Sequence, residues 1–435
     1  MRSEVLRDSS KILRSRQAKG NYLTVNHFEK RLSSRQPFFF ALRRTIIYDM
    51  SNLLDYLAWR GDLTLAQDPF NSIDALILSC LSYVNFDKVI PAKGRGKITM
   101  EKASEKFFSI HSEEELAQDK SFISFAPAML KALGKTERFR NAYLQNFVDD
   151  TDISREIQFA ALEIITSDGF SFISFRGTDD TVVGWKEDFN LSFMTVPAED
   201  EAARYLKKVM KGRLDKVRIG GHSKGGHLAI FAAVTATSEM SDRIERIYNF
   251  DGPGFNHEAK QTENFRHIQP KIVKVIPQTS IIGRLLENTA EPIVVRSTEL
   301  GIMQHDPLSW QLEGKEFDIC SSTDMISDLF DETMTGWLND MTFEDRKQFV
   351  DELFSVFEAS GCEYLSTMTK VGVKGTRAMI ERMHRIRNDS GAKVRTLVKM
   401  FFVNLNVLRD SVVKEKIEEG KGRLAIAAAK KKQNQ

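Results

Sequence analysis

A glycine-rich segment, RIGGHSKGGHLAIFAA at residues 218–233, constrains the fold more than any other part of the sequence. Within it, GHSKG at 221–225 fits the pattern G-x-S-x-G. The residues before it are typical of a short buried strand, and those after it of a helix. A sharp turn between strand and helix is the context in which such a serine becomes a nucleophile. The sequence therefore predicts a nucleophilic Ser223, and the alternative is a surface serine in a glycine-rich turn.

Two backbone N–H groups are expected to form an oxyanion hole beside Ser223. The N–H of Lys224 lies at the start of the predicted helix, where free N–H groups and the helix dipole favour negative charge. The second comes from Thr178 in FRGT, where Gly177 allows a tight turn over the nucleophile. An ion pair between Arg176 and Asp179 is the plainer interpretation of this segment, and the two can hold together.

The flanking sequence alternates between strand and helix patterns. EIQFAALEIITSDGFSFISF at 156–175 predicts a hairpin, because Asp-Gly separates two β-rich runs. Strands and helices then alternate to about residue 320, after which the patterns are helical. Residues 100–148, before the hairpin, also carry helical patterns. The alternation predicts an α/β fold with a mostly parallel central sheet and helical additions at both ends.

Short runs in the sequence resemble a known family. FRGT, Trp185 with Asn190-Leu191, and GHSKGG resemble class 3 lipases, the α/β-hydrolases related to fungal triacylglycerol lipases. The runs DYLAWRGDLTLAQDPFNSIDALILSCLSY, YNFDGPGF, PQTSIIGRLLE and QHDPLSWQ resemble the Mbeg-like family of bacterial proteins of unknown function, over roughly residues 48–420. The resemblance implies an α/β-hydrolase fold, and it makes residues 179–190, with Trp185, the candidate lid.

The predicted organisation has four segments. A basic N-terminal extension covers residues 1–47, and the α/β-hydrolase domain covers 48–320. A helical region packed on that domain covers 321–420, and a basic tail covers 421–435.

His305 is the expected general base. His222 is too close to Ser223 in sequence to face it correctly, and His227 lies one turn into the following helix. His305 follows the strand PIVVRS, late in the hydrolase region. The α/β-hydrolases keep the chain order Ser, acid, His, with the histidine on a loop after the last strand, so His305 fits that order.

The acid of the triad is harder to assign. Class 3 lipases usually place it just after the strand that corresponds to KIVKVI, where this chain has PQTS at 277–280 and no carboxylate. Asp251, at the end of the strand RIYNF, is the preferred candidate, because some α/β-hydrolases take the acid from the preceding strand. Asp251 could instead only shape the Gly-Pro-Gly turn, with Gln278 or Ser280 orienting the imidazole as a neutral partner.

These residues predict a serine hydrolase that cleaves an acyl ester, a lipid among the candidates, through an acyl-enzyme. An amidase or thioesterase could use the same triad. The missing acid after KIVKVI favours a different class, a catalytically weakened hydrolase fold that serves as a binding or interaction module.

Composition narrows the function classes further. The net charge of +2 gives no nucleic-acid signal, so no nucleic-acid partner is expected. The expected partner is the small-molecule acyl ester or lipid that the predicted serine hydrolase would cleave. Three scattered cysteines indicate a reducing compartment and supply no metal spacing, so neither cofactor nor metal is expected. The sequence shows no membrane span or secretory signal, and a cytoplasmic protein is expected. The basic ends favour at most transient contact with a membrane surface.

Overall fold

The structure is a computed structural model. It describes residues 51–91, 96–119, 121–152, 157–179, 181–191, 196–255, 260–278, 280, 282–286, 289–299, 301–320, 341–364, 367, 373–386, 394 and 398. All of these residues belong to the compact unit Ser51–Gln435. The predicted N-terminal extension, the basic tail and residues 321–340 of the helical region lie outside the described residues.

An eight-stranded sheet forms the centre of the described part of the chain, and its strands lie in chain order. Strands β1 to β4 pair antiparallel, whereas β4 to β8 pair parallel. A small separate hairpin joins β9 and β10. The strands are β1 (Ile98–Thr99), β2 (Tyr143–Asp152), β3 (Ile157–Ile165), β4 (Ser171–Phe175), β5 (Val217–His222), β6 (Ile244–Phe250), β7 (Ile272–Pro277), β8 (Ile293–Val295), β9 (Leu312–Glu313) and β10 (Glu316–Phe317).

Helices precede, interrupt and follow the sheet. They are α1 (Leu53–Arg60), α2 (Ser72–Leu81), α3 (Met100–Ile110), α4 (Glu113–Leu116), α5 (Ala126–Leu133), α6 (Val182–Leu191), α7 (Pro197–Met210), α8 (Lys224–Val234), α9 (Ser238–Asp242), α10 (Glu263–Ile268), α11 (Phe343–Ala359) and α12 (Val373–Arg385). A parallel half-sheet with crossover helices, a sharp strand–turn–helix after β5 and helical additions at both ends make this an α/β-hydrolase fold.

The sequence patterns predicted most of these elements. The Asp-Gly hairpin is present as β3 and β4, which pair antiparallel. The helical pattern over residues 100–148 is wrong at its end, because β2 begins at Tyr143. The register of β2 shifts between Gln145 and Val148, and Asn146 has a φ of 55°. That irregularity breaks the alternation of apolar and polar residues by which a strand is recognised.

Two apolar layers enclose the sheet and position the candidate site. Helix α2 packs against β4, β5 and β6 within one layer, and α8 packs against β5 and β6 within the other. Both ends of the glycine-rich segment are therefore fixed by buried packing, and the residue between β5 and α8 is Ser223.

A buried ion pair anchors the helices that precede β2. The guanidinium of Arg138 contacts both carboxylate oxygens of Asp74 on α2, and both side chains are fully buried. The same guanidinium donates to the carbonyl oxygen of Asp68 at 2.9 Å. Because the partners lie far apart in sequence, this network ties α2 to the turn that leads into β2.

A third apolar cluster joins the candidate lid to the C-terminal helices. Phe189 on α6 packs edge-on against Phe354 on α11, with ring centroids 5.3 Å apart. Lys186 on α6 forms a 2.6 Å ion pair with Asp351 on α11. The predicted lid segment is thus a helix held by α11.

No described helix is both long enough and apolar enough to cross a membrane.

Replacing Arg138 by Met should lower the free energy of unfolding by about 3–5 kcal/mol, because Asp74 would remain as a buried, unpaired carboxylate. The matched control is Arg377→Met, which breaks the pair with Glu381 on α12, where the arginine side chain is 80% exposed. That change should cost less than about 1 kcal/mol. Urea unfolding measures both, and equal losses would contradict a structural role for the buried pair.

Candidate active site

Ser223 has the backbone conformation of a nucleophile at a sharp turn. Its φ is 59° and its ψ is −135°, a strained region for a residue with a side chain. Its N–H donates to the carbonyl oxygen of Phe250 at 2.9 Å, which ties the turn to the end of β6. Strain held by the surrounding structure is typical of functional sites.

Two glycines make this turn possible. A Cβ on Gly225 would collide with the carbonyl of Phe175 at the end of β4, and one on Gly221 would collide with the backbone of Gly225. Strand and helix therefore approach more closely here than residues with side chains allow. The physical basis of the G-x-S-x-G pattern is present in this chain.

Asp251 and His305 meet in a buried hydrogen bond. The His305 Nδ1 lies 2.7 Å from Oδ2 of Asp251, and the two side chains are 4% and 1% exposed. Because a carboxylate only accepts, Nδ1 carries the proton of the neutral ring. The remaining nitrogen, Nε2, is then the one that can take up a proton.

The backbone of Asp251 repeats the arrangement at Ser223. Asp251 follows β6 directly, with a φ of 52°. Its N–H donates to the carbonyl oxygen of Val275 on β7 at 2.8 Å. Ser223 and Asp251 thus leave two adjacent parallel strands with positive φ angles, and each is held by the next strand of the sheet.

The two alternative partners of the imidazole are engaged elsewhere. Ser280 donates its hydroxyl proton to Oδ1 of Asp251 and accepts the N–H of Gly283 at 2.9 Å. The Oε1 of Gln278 accepts the N–H of Ser297 at 3.1 Å. In class 3 lipases the loop after the strand that corresponds to β7 usually carries the acid. In this chain the same loop instead supports Asp251, through the hydroxyl of Ser280.

The two segments predicted to supply the oxyanion hole adjoin Ser223. A Cβ on Gly177 would lie 3.0 Å from the Cβ of Ser223, so the turn before Thr178 passes directly against Ser223. Thr178 itself is buried. Lys224 is the first residue of α8, and its buried side chain donates to Oε1 of Gln158 at 3.3 Å.

Trp185 lies against the imidazole of His305. It is a buried residue of α6, and the two ring centroids are 5.0 Å apart in an edge-to-face arrangement.

The ion pair that the sequence suggested for Arg176 goes to Asp149 on β2, with Nη1 and Oδ2 2.6 Å apart.

His222 and Tyr83 adjoin the site without a role assigned from the sequence. The Tyr83 hydroxyl lies 2.8 Å from Nδ1 of His222. The Nε2 of His222 lies 2.8 Å from the carbonyl oxygen of His305, and the two imidazole centroids are 4.5 Å apart. Burial first, and the charge of His305 second, hold the pKa of His222 well below its ordinary value of 6.5. The sequence signal for Tyr83 is weak, because a tyrosine just after an apolar helix usually packs in the core.

His227 points away from this group. Its Nε2 lies 2.8 Å from Oε1 of Glu199, and its Nδ1 lies 3.0 Å from the carbonyl oxygen of Gly254. Its ring stacks on Phe255 at 4.2 Å. Both nitrogens bond to groups outside the Ser223 turn.

Within the described ranges, no three His, Cys, Asp or Glu side chains are grouped as the ligands of a metal ion.

The chain is similar to a known protein family and, at low identity, to a solved structure. A family model described as Mbeg1-like matches residues 133–355, just over half of the chain. Among solved structures, one described as the crystal structure of M37 lipase is similar at 14% identity, with a TM-score of 0.29. The match covers 63% of this chain and 98% of that one. A search of the curated proteins found no match.

The depressed pKa of His222 predicts how stability depends on pH. The unfolded histidine takes up a proton as pH falls below about 6.5, whereas the folded one stays neutral. Protonation therefore favours the unfolded chain, and stability is lost as pH falls from 6.5 towards the folded pKa. Relative to His222→Gln, the wild type should lose about 1.4 kcal/mol for each pH unit in that range. Urea unfolding between pH 7.5 and pH 5 measures this, and equal pH slopes would contradict a buried neutral His222.

Proposed function

The chain belongs to the Mbeg1-like family, and we propose that it is a serine hydrolase that cleaves an acyl ester through an acyl-enzyme. The observation that carries the proposal is the buried hydrogen bond between Asp251 and His305, at the same edge of the sheet as the strained Ser223. A carboxylate that orients a histidine is one part of the arrangement that activates a serine hydroxyl, and we propose that Ser223 is the serine on which it acts.

The first half of the reaction forms the acyl-enzyme. The Nε2 of His305 accepts the hydroxyl proton of Ser223 as the serine oxygen attacks the ester carbonyl. The negative charge that develops on the carbonyl oxygen is stabilised by the N–H groups of Thr178 and Lys224. His305 then donates its proton to the leaving alcohol, and the C–O bond of the ester breaks.

The second half regenerates the serine. Water attacks the acyl carbonyl while His305 takes its proton, and the same proton returns to the oxygen of Ser223 as the carboxylic acid leaves. Asp251 stays ionised throughout and stabilises the imidazolium that forms twice in each cycle. Ser280 donates to the Asp251 oxygen that does not contact His305, which helps to hold the carboxylate plane.

An apolar cluster beside His305 supports an acyl substrate. Five buried side chains from α6 and the turn after β7 belong to one cluster with the C-terminal helices, namely Val182, Trp185, Phe189, Ile282 and Leu285. We propose that the acyl group binds on this side of the site, because a hydrocarbon chain gains about 25 cal/mol for each Å² removed from water.

A binding or interaction module is the second candidate, and the closure of the site favours it. Ser223, Thr178 and His305 are all buried, with Trp185 of α6 against the imidazole and α11 packed against α6. In the hydrolase proposal, α11 packs on the candidate lid, and α6 must move before an ester reaches Ser223. The cytoplasmic location and a transient membrane contact stay predictions.

Replacing Asp251 by Asn tests the acid. The amide would not stabilise the imidazolium and would favour the wrong tautomer of His305, so we expect kcat on a p-nitrophenyl ester to fall by about 10³- to 10⁴-fold. Gln278→Ala is the matched control on the neighbouring loop and should stay within about twofold, because Gln278 contacts Ser297 and Cys320. A silent Asp251→Asn with a damaging Gln278→Ala would reverse the assignment.

Replacing His305 by Ala tests the base. Without an imidazole at this position the hydroxyl of Ser223 has no proton acceptor, and ester turnover should fall by at least about a thousandfold. Turnover is compared with that of His267→Ala, an exposed histidine that pairs with Asp242. A near-wild-type rate for His305→Ala would remove this residue from the site.

A further inference from the structure

His222 lies within the G-x-S-x-G segment, but it has no part in the proton transfers proposed for Ser223 and His305. Its side chain is fully buried beneath the turn, and its two ring nitrogens lie at hydrogen-bond distance from Tyr83 and His305. The second of these contacts is made to the main chain of His305, at the residue that carries the proposed base. A single side chain thus connects the segment of the nucleophile to the segment of the base.

The partners determine how the protons are arranged. The carbonyl oxygen of His305 can only accept, so Nε2 of His222 carries the proton and donates it. In the neutral ring Nδ1 is then an acceptor, and the Tyr83 hydroxyl donates to it. The low pKa of His222 fits this neutral form, because burial first and the nearby His305 second both oppose a positive charge on the His222 ring.

This arrangement holds His305 at two points. Asp251 fixes the imidazole through Nδ1, and His222 fixes the main chain through the carbonyl oxygen. His305 ends a short 3-10 turn, Gly301–His305, and the hydrogen bonds of such a turn have poorer geometry than those of an α-helix. A misplacement of the base by about 1 Å is enough to lower a rate by about a hundredfold.

We infer that His222 is a positioning residue for the general base, holding the main chain of His305 through a hydrogen bond that Tyr83 orients. The inference rests on the proposed serine hydrolase function. It assigns a chemical task to the first variable residue of the G-x-S-x-G segment. It also explains why a tyrosine hydroxyl lies in the apolar layer formed by α2 and its neighbours.

The test compares two replacements of His222 in the full chain. Phe keeps the ring but has no donor, so kcat on a p-nitrophenyl ester should fall by about 10- to 100-fold with KM within about twofold. Gln keeps an N–H donor at the position of Nε2, and kcat should stay within about threefold of the wild type. Tyr83→Phe, which removes only the hydroxyl that orients His222, should lower kcat by about 2- to 10-fold.

Two controls separate positioning from general damage. His227→Gln alters another buried histidine of the same region, one that contacts Glu199 and Gly254, and kcat of the folded protein should be unchanged. In a His305→Ala background, His222→Phe should have no further effect on turnover, because a positioning residue acts only through the base. Thermal unfolding verifies that each variant is folded at the assay temperature.

Three results would overturn the inference in an active wild type. The first is a wild-type kcat for His222→Phe, and the second is an equal loss of kcat in the folded His222→Gln and His222→Phe variants. The third is a further loss of turnover when His222→Phe is added to His305→Ala. If the wild type is inactive, the proposed function fails, but the positioning role is still measurable. The NMR resonance of the His305 Nδ1 proton should then persist in His222→Gln and broaden or vanish in His222→Phe, and an unchanged resonance in both would contradict it.

Discussion

The buried hydrogen bond between Asp251 and His305 is the interaction on which the rest of the candidate site depends. It determines which nitrogen of His305 can act as a base, and it connects the end of β6 to a turn more than fifty residues further along the chain. Both side chains are shielded from water, where such a contact is stronger than at the surface. The chemistry proposed for Ser223 therefore depends on the geometry of this pair.

The sheet supplies the rigidity that this pair requires. Ser223 and Asp251 leave adjacent parallel strands with positive φ, a conformation that costs of order 1–3 kcal/mol at each residue. Each is held by a main-chain hydrogen bond to the next strand. Ser280 and His222 then add support from two further directions. The two strained residues of the site are therefore held in place because β5, β6 and β7 lie side by side and bond to one another.

The sequence predicted the parts of the site whose signals are local. The turn at Ser223 needs glycines at fixed spacing, and those glycines can be read directly from GHSKGG. The alternation of strands and helices likewise follows from short-range periodicity, which predicted the parallel half of the sheet. The antiparallel β2 was missed, because its irregular register around Asn146 removes that periodicity.

The long-range contacts could not be predicted from local patterns. The place of Asp251 at a strand end makes it a candidate acid, but only the fold shows that its carboxylate contacts His305 and accepts from Ser280. The contact between Tyr83 and His222 joins residues 139 positions apart and leaves no pattern in either segment. The packing of α11 on the candidate lid also depends on tertiary structure alone.

The most direct measurement is covalent labelling of the folded full-length protein with a fluorophosphonate, followed by mass spectrometry of its peptides. We expect one adduct, on the peptide that contains Ser223, and its loss in Ser223→Ala. An unlabelled wild type that is demonstrably folded, or an adduct that persists in Ser223→Ala, would contradict the assignment of Ser223 as an activated nucleophile.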